Sequence, residues 1–127
     1  MRENYDIKKA KEYFENYTTY SIGPIELLHW LDNNQSNIQI VDFRELADYE
    51  IAHIPTAIHI PEEHLGDNYD RLDKEKLIIV YCYNPTCQLA AKKAIELVSH
   101  GYKAIELLGG FQTWTKYRLR TERQTIN

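Results

Sequence analysis

At 127 residues, 43% hydrophobic and 27% charged, the chain has the size and make-up of one globular domain and excludes a wholly disordered protein. A net charge of −4 argues against nucleic acid or an anionic membrane as the main partner. No apolar run approaches the ~20 residues of a bilayer-crossing helix, and the polar start Met1–Asp6 shows no signal peptide, so a cytoplasmic protein is expected.

Residues 1–19 read as a helical extension in which Ile7, Ala10, Tyr13, Phe14 and Tyr17 share one stripe. That stripe suits packing on the domain or on a second copy, which leaves a homodimer open. Gly23-Pro24 opens a second helix carrying Ile25, Leu27, Leu28, Trp30 and Leu31, and the run Asn33–Asn37 ends it. Ile38–Val41 is a short β-branched strand ending at Asp42. A helix follows over Glu45–Ile51 and gives way at His53-Ile54-Pro55. Ala57–Ile60 reads as a strand, and Pro61 opens a turn or short helix. Leu77–Tyr81, the most apolar run, is expected to be a strand buried on both faces. Ala90, Ala91, Ala94, Ile95 and Val98 then form a helical stripe stopped by Gly101. Ala104–Leu108 is a further strand, Gly109-Gly110 breaks it, and Phe111–Tyr117 is a last helix. Strands alternating with helices predict an α/β domain over residues 20–117, with a parallel sheet covered on both faces. Residues 118–127 form a basic tail. Around it Lys116, Arg118, Arg120 and Arg123 face Glu122 alone, and a solvated segment is expected.

The two cysteines, Cys82 and Cys87, lie in one short segment, too few for a disulfide-built fold. Cys82 directly follows the most buried strand, so it emerges at the carboxyl edge of the sheet, where open α/β sheets bind ligands. The loop Tyr83-Asn84-Pro85-Thr86 leads into a helix starting near Cys87. Amides of such a loop and of a helix N-terminus favour negative charge, so a thiolate at Cys82 is expected, with a pKa below the usual ~8.5. The plain alternative is a small apolar residue at a strand end.

The segment from Val41 to Pro61 resembles the first signature of rhodanese domains, keeping Asp42, Arg44, Asp48, Tyr49, His53, Ile54, Pro55 and Ala57. Val80-Tyr81-Cys82 with its loop resembles the family's active-site segment, and Leu107–Trp114 its C-terminal Gly-Gly-aromatic signature. The resemblance spans about residues 20–115 and implies a three-layer fold with a parallel sheet of about five strands. It also implies a sulfurtransferase that needs no cofactor. Cys82 would take sulfane sulfur from thiosulfate, a persulfide or a polysulfide, hold it as a persulfide and pass it to a thiol acceptor. The backbone of Tyr83, Asn84, Pro85, Thr86 and Cys87 would cradle that sulfur, with Asp42 and Arg44 as supports.

Three positions depart from the pattern. Ala52 and Thr56 stand where the family has glycine, and Cys87 stands where active members commonly have the arginine that closes the loop. Without that guanidinium fork phosphatase chemistry is not expected and use of the thiosulfate dianion is weakened. Cys87 instead supplies a second thiol, able to resolve a persulfide or an oxidised Cys82. Three functions therefore follow: persulfide-carrying sulfurtransferase, dithiol redox or persulfide-reducing protein, and silent binding module. Cys82, Cys87 and a histidine make a poor zinc pattern, so no metal is expected. Arg44 and Asp48 are spaced for an ion pair, Asp42 for capping the following helix, and His53 and His59 sit near the presumed site edge.

Overall fold

Five short strands of the computed structural model form one parallel sheet in the order β1-β5-β4-β2-β3. They are β1 (Ser21–Ile22), β2 (Ile38–Asp42), β3 (Ile58–His59), β4 (Leu77–Tyr81) and β5 (Lys103–Leu107). The helices are α1 (Ile7–Thr19), α2 (Pro24–Asn33), α3 (Leu46–Ile51), α4 (Leu89–Ser99) and α5 (Gly110–Lys116), with a 3-10 helix at Glu62–Arg71. The structure describes residues 2–33 and 35–124. The α/β class and the parallel sheet match the sequence expectation. The strand not foreseen is β1, whose two residues pair with Glu106 and Leu107 of β5.

Side-chain alternation along the central strands splits the interior into two layers. Ile79 and Tyr81 of β4 join Ile38, Ile40, Ile105 and Leu107 beneath Leu27, Leu31 and Trp114 of α2 and α5. Ile78, Val80 and Cys82 point the other way and join Ala90 and Leu97 of α4 and Leu65 of the 3-10 helix. Both faces of β4 are therefore covered, and its five residues need be nothing but apolar. Each fully buried aliphatic side chain contributes about 1.5–3 kcal/mol. The sheet and its two covers hold the loops at the carboxyl edge in place.

Two peripheral segments behave differently from the sequence reading. No residue of α1 is buried, and Ile7, Tyr13, Phe14 and Tyr17 are all exposed, so its stripe does not pack on the domain. The basic segment, by contrast, is tied to the domain as far as it is described. Glu122 pairs with His53 in an antiparallel bridge, the Gln124 amide donates to the Glu50 carbonyl (3.0 Å), and Trp114 Nε1 donates to the Arg120 carbonyl (2.9 Å). The Arg120 guanidinium also meets Asp32 at 2.8 Å. The solvated segment foreseen there is thus anchored by backbone pairing. Residues 125–127 of that call lie outside the described residues. Among the described residues no helix is long and apolar enough to cross a membrane.

Candidate active site

The chain leaves β2 toward β3 on one side and β4 toward β5 on the other, so the carboxyl ends of β2 and β4 flank a topological switch point. Asp42 ends β2 level with Tyr81 of β4, and Cys82 follows Tyr81. Beneath this edge lies a buried polar knot. Asp42 Oδ1 accepts from the Arg44 amide (2.8 Å), while Oδ2 accepts from Arg44 Nη2 (2.9 Å) and the Tyr81 hydroxyl (2.5 Å). Arg44 Nη2 also donates to the Ala52 carbonyl at 2.6 Å, and its guanidinium lies 3.9 Å from the Phe111 ring centroid. The helix cap and the Arg44–Asp48 pair expected from spacing are replaced. Asp42 holds Arg44, Glu45 occupies the cap position of α3 without a side-chain bond, and Asp48 accepts from the Tyr83 hydroxyl. That hydroxyl in turn accepts from the Glu45 amide at 3.0 Å, joining the loop to α3. Asp42 and Arg44 thus form a buried ion pair beside the loop, and Arg44, 5% exposed, has its guanidinium committed to Asp42 and the Ala52 carbonyl.

The start of α5 fixes the loop from the side. The Phe111 amide donates to the Cys82 carbonyl (2.9 Å) and the Gln112 amide to the Tyr83 carbonyl (2.8 Å). In a planar trans peptide the N–H points opposite the C=O, so turning the Cys82 carbonyl to α5 turns the Tyr83 amide toward the sulfurs, where it lowers both thiols. Such close approach needs Gly110, whose added Cβ would lie 2.8 Å from the Asn84 nitrogen and 2.9 Å from the Cys82 oxygen.

The sulfurs of Cys82 and Cys87 lie 2.8 Å apart and share a hydrogen bond. Cys82 is 3% exposed, Cys87 half-buried just before the Gln88 cap of α4. Only part of the foreseen cradle forms. Asn84 Oδ1 takes the Thr86 amide (3.1 Å), the Asn84 carbonyl takes the Cys87 amide (3.1 Å), and Pro85 has none. The Tyr83 amide remains for both sulfurs, and the Leu89 amide adds itself to Cys87.

Residues 25–117 match the rhodanese-like domain family. The chain belongs to the rhodanese-like domain family. It is 36% identical over 86 residues to a thiosulfate sulfurtransferase GlpE of Coxiella burnetii, covering 67% of this chain and 78% of that one. Among solved structures it is similar to the BH2092 protein of Bacillus halodurans, with a TM-score of 0.85, 33% identity and 93% and 87% of the two chains covered. It is also similar to a rhodanese-like domain protein of Staphylococcus aureus, with a TM-score of 0.71, 26% identity and 83% and 98% covered.

The electrostatics of this rhodanese-like domain differ from the expectation at Cys82. Burial pushes its thiol up to about 12, helped by the hydrogen bond with Cys87 and the Asp42 charge, and the Tyr83 amide offsets this only in part. Burial also opposes ionisation of Cys87, but the Cys82 hydrogen bond and the Leu89 and Tyr83 amides outweigh it and hold that thiol below its ordinary value. Of the two thiols, Cys87, the one nearer the helix terminus, is therefore the first to ionise. For Arg44, burial is outweighed by the hydrogen bond and charge of Asp42, which hold the guanidinium above its usual value.

Two cavities meet the site. A small one of ≈ 70 Å³ is lined by Cys82, Cys87, Asn84, Gly110 and Glu106, and a wider cleft of ≈ 330 Å³ by Arg44, Tyr83, His59, Glu45, Glu62 and Glu63. Glu106, whose acid is raised by desolvation, was not singled out from sequence. Its signal was a lone carboxylate within the apolar run Ala104–Leu108, near a strand's carboxyl end. Tyr81 and Tyr83 were likewise read as core and loop backbone only. His59 borders the cleft and bonds the Arg44 carbonyl at 2.6 Å, whereas His53 stacks on Tyr49 at 3.9 Å and lines neither cavity. Among the described residues no group of three metal-ligating side chains comes together. Of the two departures from glycine, Ala52 is extended (φ −163°), a backbone any residue adopts, but Thr56 sits at φ +70°, the left-handed region that glycine favours.

Proposed function

We propose that this rhodanese-like domain is a sulfurtransferase in which Cys82 receives a sulfane sulfur, carries it as a persulfide and yields it to a thiol. The observation that carries this reading is the placement of Cys82. It stands at the switch point, at the floor of a ≈ 70 Å³ cavity, with the Tyr83 amide turned onto its sulfur by α5. In the loading step Cys82 Sγ attacks the sulfane sulfur of the donor, forming Cys82–S–SH as the donor's S–S bond breaks, and the Cys82 proton leaves with the donor's remainder as a thiol.

The site's charge selects the donor. Glu106 lines the small cavity, Glu45, Glu62 and Glu63 line the cleft, and the one guanidinium lining them is bound to Asp42. A dianion such as thiosulfate meets carboxylates with no free cation among these residues, so a low-charge persulfide or polysulfide is the preferred donor. Relatives named thiosulfate sulfurtransferase support sulfur transfer in general, and the preference for a low-charge donor rests on the charges lining this site.

The test is steady-state transfer from inorganic polysulfide or thiosulfate to glutathione, with wild type and Cys82→Ser compared. Transfer from polysulfide that exceeds transfer from thiosulfate and falls to background in Cys82→Ser is the expected result. Equal turnover by the two proteins would overturn the assignment.

A further inference from the structure

We infer that Cys87 is a second reacting residue: its thiolate attacks Sγ of the Cys82 persulfide, closes a Cys82–Cys87 disulfide and expels the sulfane sulfur as hydrosulfide. This rests on the Cys82 persulfide proposed above and identifies the thiol that resolves it.

Three features of the structure lead to this step. The sulfurs, at 2.8 Å, need to close by less than about 1 Å to reach the ~2.05 Å of a disulfide. Cys82 is 3% exposed in a cavity of only ≈ 70 Å³, so an external thiol can reach the outer sulfur of a persulfide but not Sγ. Cys87 is already against it. The amides of Tyr83 and Leu89 lower the Cys87 thiol, which favours ionisation of the attacking atom beside its target.

Attack on the outer sulfur of the persulfide passes the sulfane sulfur to an acceptor and restores the Cys82 thiol, whereas attack of Cys87 on Sγ expels hydrosulfide. One Sγ–Sγ bond forms, one Sγ–S bond breaks, and the sulfane sulfur departs with the bonding pair. The sulfane sulfur is reduced to sulfide and the two cysteine sulfurs are oxidised to the disulfide. A small or protein dithiol reductant then restores both thiols. Over a cycle, one persulfide and one dithiol give one thiol, one hydrogen sulfide and one disulfide. A persulfide-consuming, sulfide-releasing reaction is thereby built into the loop by the residue that stands in place of arginine.

The experiment uses the reduced full-length protein without free reductant and one equivalent of glutathione persulfide under anaerobic conditions. Sulfide is measured, and intact mass is read after acid quench. Wild type is expected to release about one equivalent of sulfide per chain and to lose about 2 Da, with no lasting adduct. Cys87→Ser and Cys87→Ala, checked for native circular dichroism, are expected to hold about 32 Da of added sulfur without releasing sulfide and to lose it as a thiol persulfide when excess thiol is added. If wild type keeps the added sulfur and releases no sulfide, the resolving step is overturned while the persulfide carrier stands. Release from the Cys87 variants as fast as from wild type also overturns it. If neither wild type nor the Cys87 variants take up sulfur or release sulfide, the carrier reading itself fails.

Discussion

Replacing Gly110 by alanine should unseat the cysteine loop, because the added Cβ would run into that loop's backbone. The new Cβ would lie 2.8 Å from the Asn84 nitrogen and 2.9 Å from both the Cys82 oxygen and the Tyr83 carbonyl carbon, all backbone atoms. The residue also sits at φ +64°, where a side chain costs about 1–2 kcal/mol. To relieve the contacts α5 must retreat, weakening the amide bonds from Phe111 to Cys82 (2.9 Å) and Gln112 to Tyr83 (2.8 Å), each contributing about 0.5–1.5 kcal/mol. Alanine's lower unfolded-state entropy offsets about 0.4–1 kcal/mol, leaving a loss of about 2–4 kcal/mol. For a domain of this size that lowers Tm by about 8–15 °C. Thermal unfolding followed by circular dichroism reads it, with Gly66→Ala as control. No atom lies within 4 Å of a Cβ added at Gly66, and its Tm should stay within about 2 °C of wild type. The variant should also lose sulfur uptake at temperatures where it is still folded, since the Tyr83 amide no longer faces the sulfurs. A Gly110→Ala protein as stable and as active as wild type would refute the claim that α5 positions the loop.

Other substitutions test separate parts of the account. Thr56→Gly removes a β-branched residue from φ +70° and should raise stability by about 0.5–1 kcal/mol in urea unfolding, with the m-value unchanged; a destabilised variant would contradict the strain argument. Cys87→Arg should raise the thiosulfate kcat/KM about tenfold or more by supplying a guanidinium fork to the dianion, and no gain would mean that charge does not limit this donor. Iodoacetamide should label Cys87 before Cys82 at neutral pH, because the lowered Cys87 thiol ionises first and the Cys82 thiol, pushed up to about 12, stays protonated. Glu106 raises the Cys87 thiol through its charge, so Glu106→Gln should shift the Cys87 labelling profile to lower pH; a shift upward would place that carboxylate elsewhere.

The fold was legible wherever an element is long enough to show a period. Leu77–Tyr81 and the α4 stripe were readable because a doubly covered strand and an amphipathic helix impose unmistakable patterns. The two-residue β1 was not, since pairing with Glu106 and Leu107 is a long-range event with no local trace. The place of Cys82 after the central strand was legible, as was the missing arginine. Its ionisation was not. Loop amides were expected to converge on Cys82, but Asn84 absorbs two of them and burial dominates the rest, so Cys87 is the first to ionise. Arg44 illustrates the same limit, because four-residue spacing suggested Asp48, whereas the bend after β2 brings Asp42 within 2.9 Å.

The assignment of sulfur to Cys82 is tested most directly by peptide mapping of the Cys87→Ser chain after polysulfide treatment and thiol-blocking alkylation. The account predicts one extra sulfur on the peptide containing Cys82 and none on the corresponding peptide of a Cys82→Ser, Cys87→Ser chain. A folded Cys87→Ser chain whose Cys82 peptide carries no extra sulfur would contradict it.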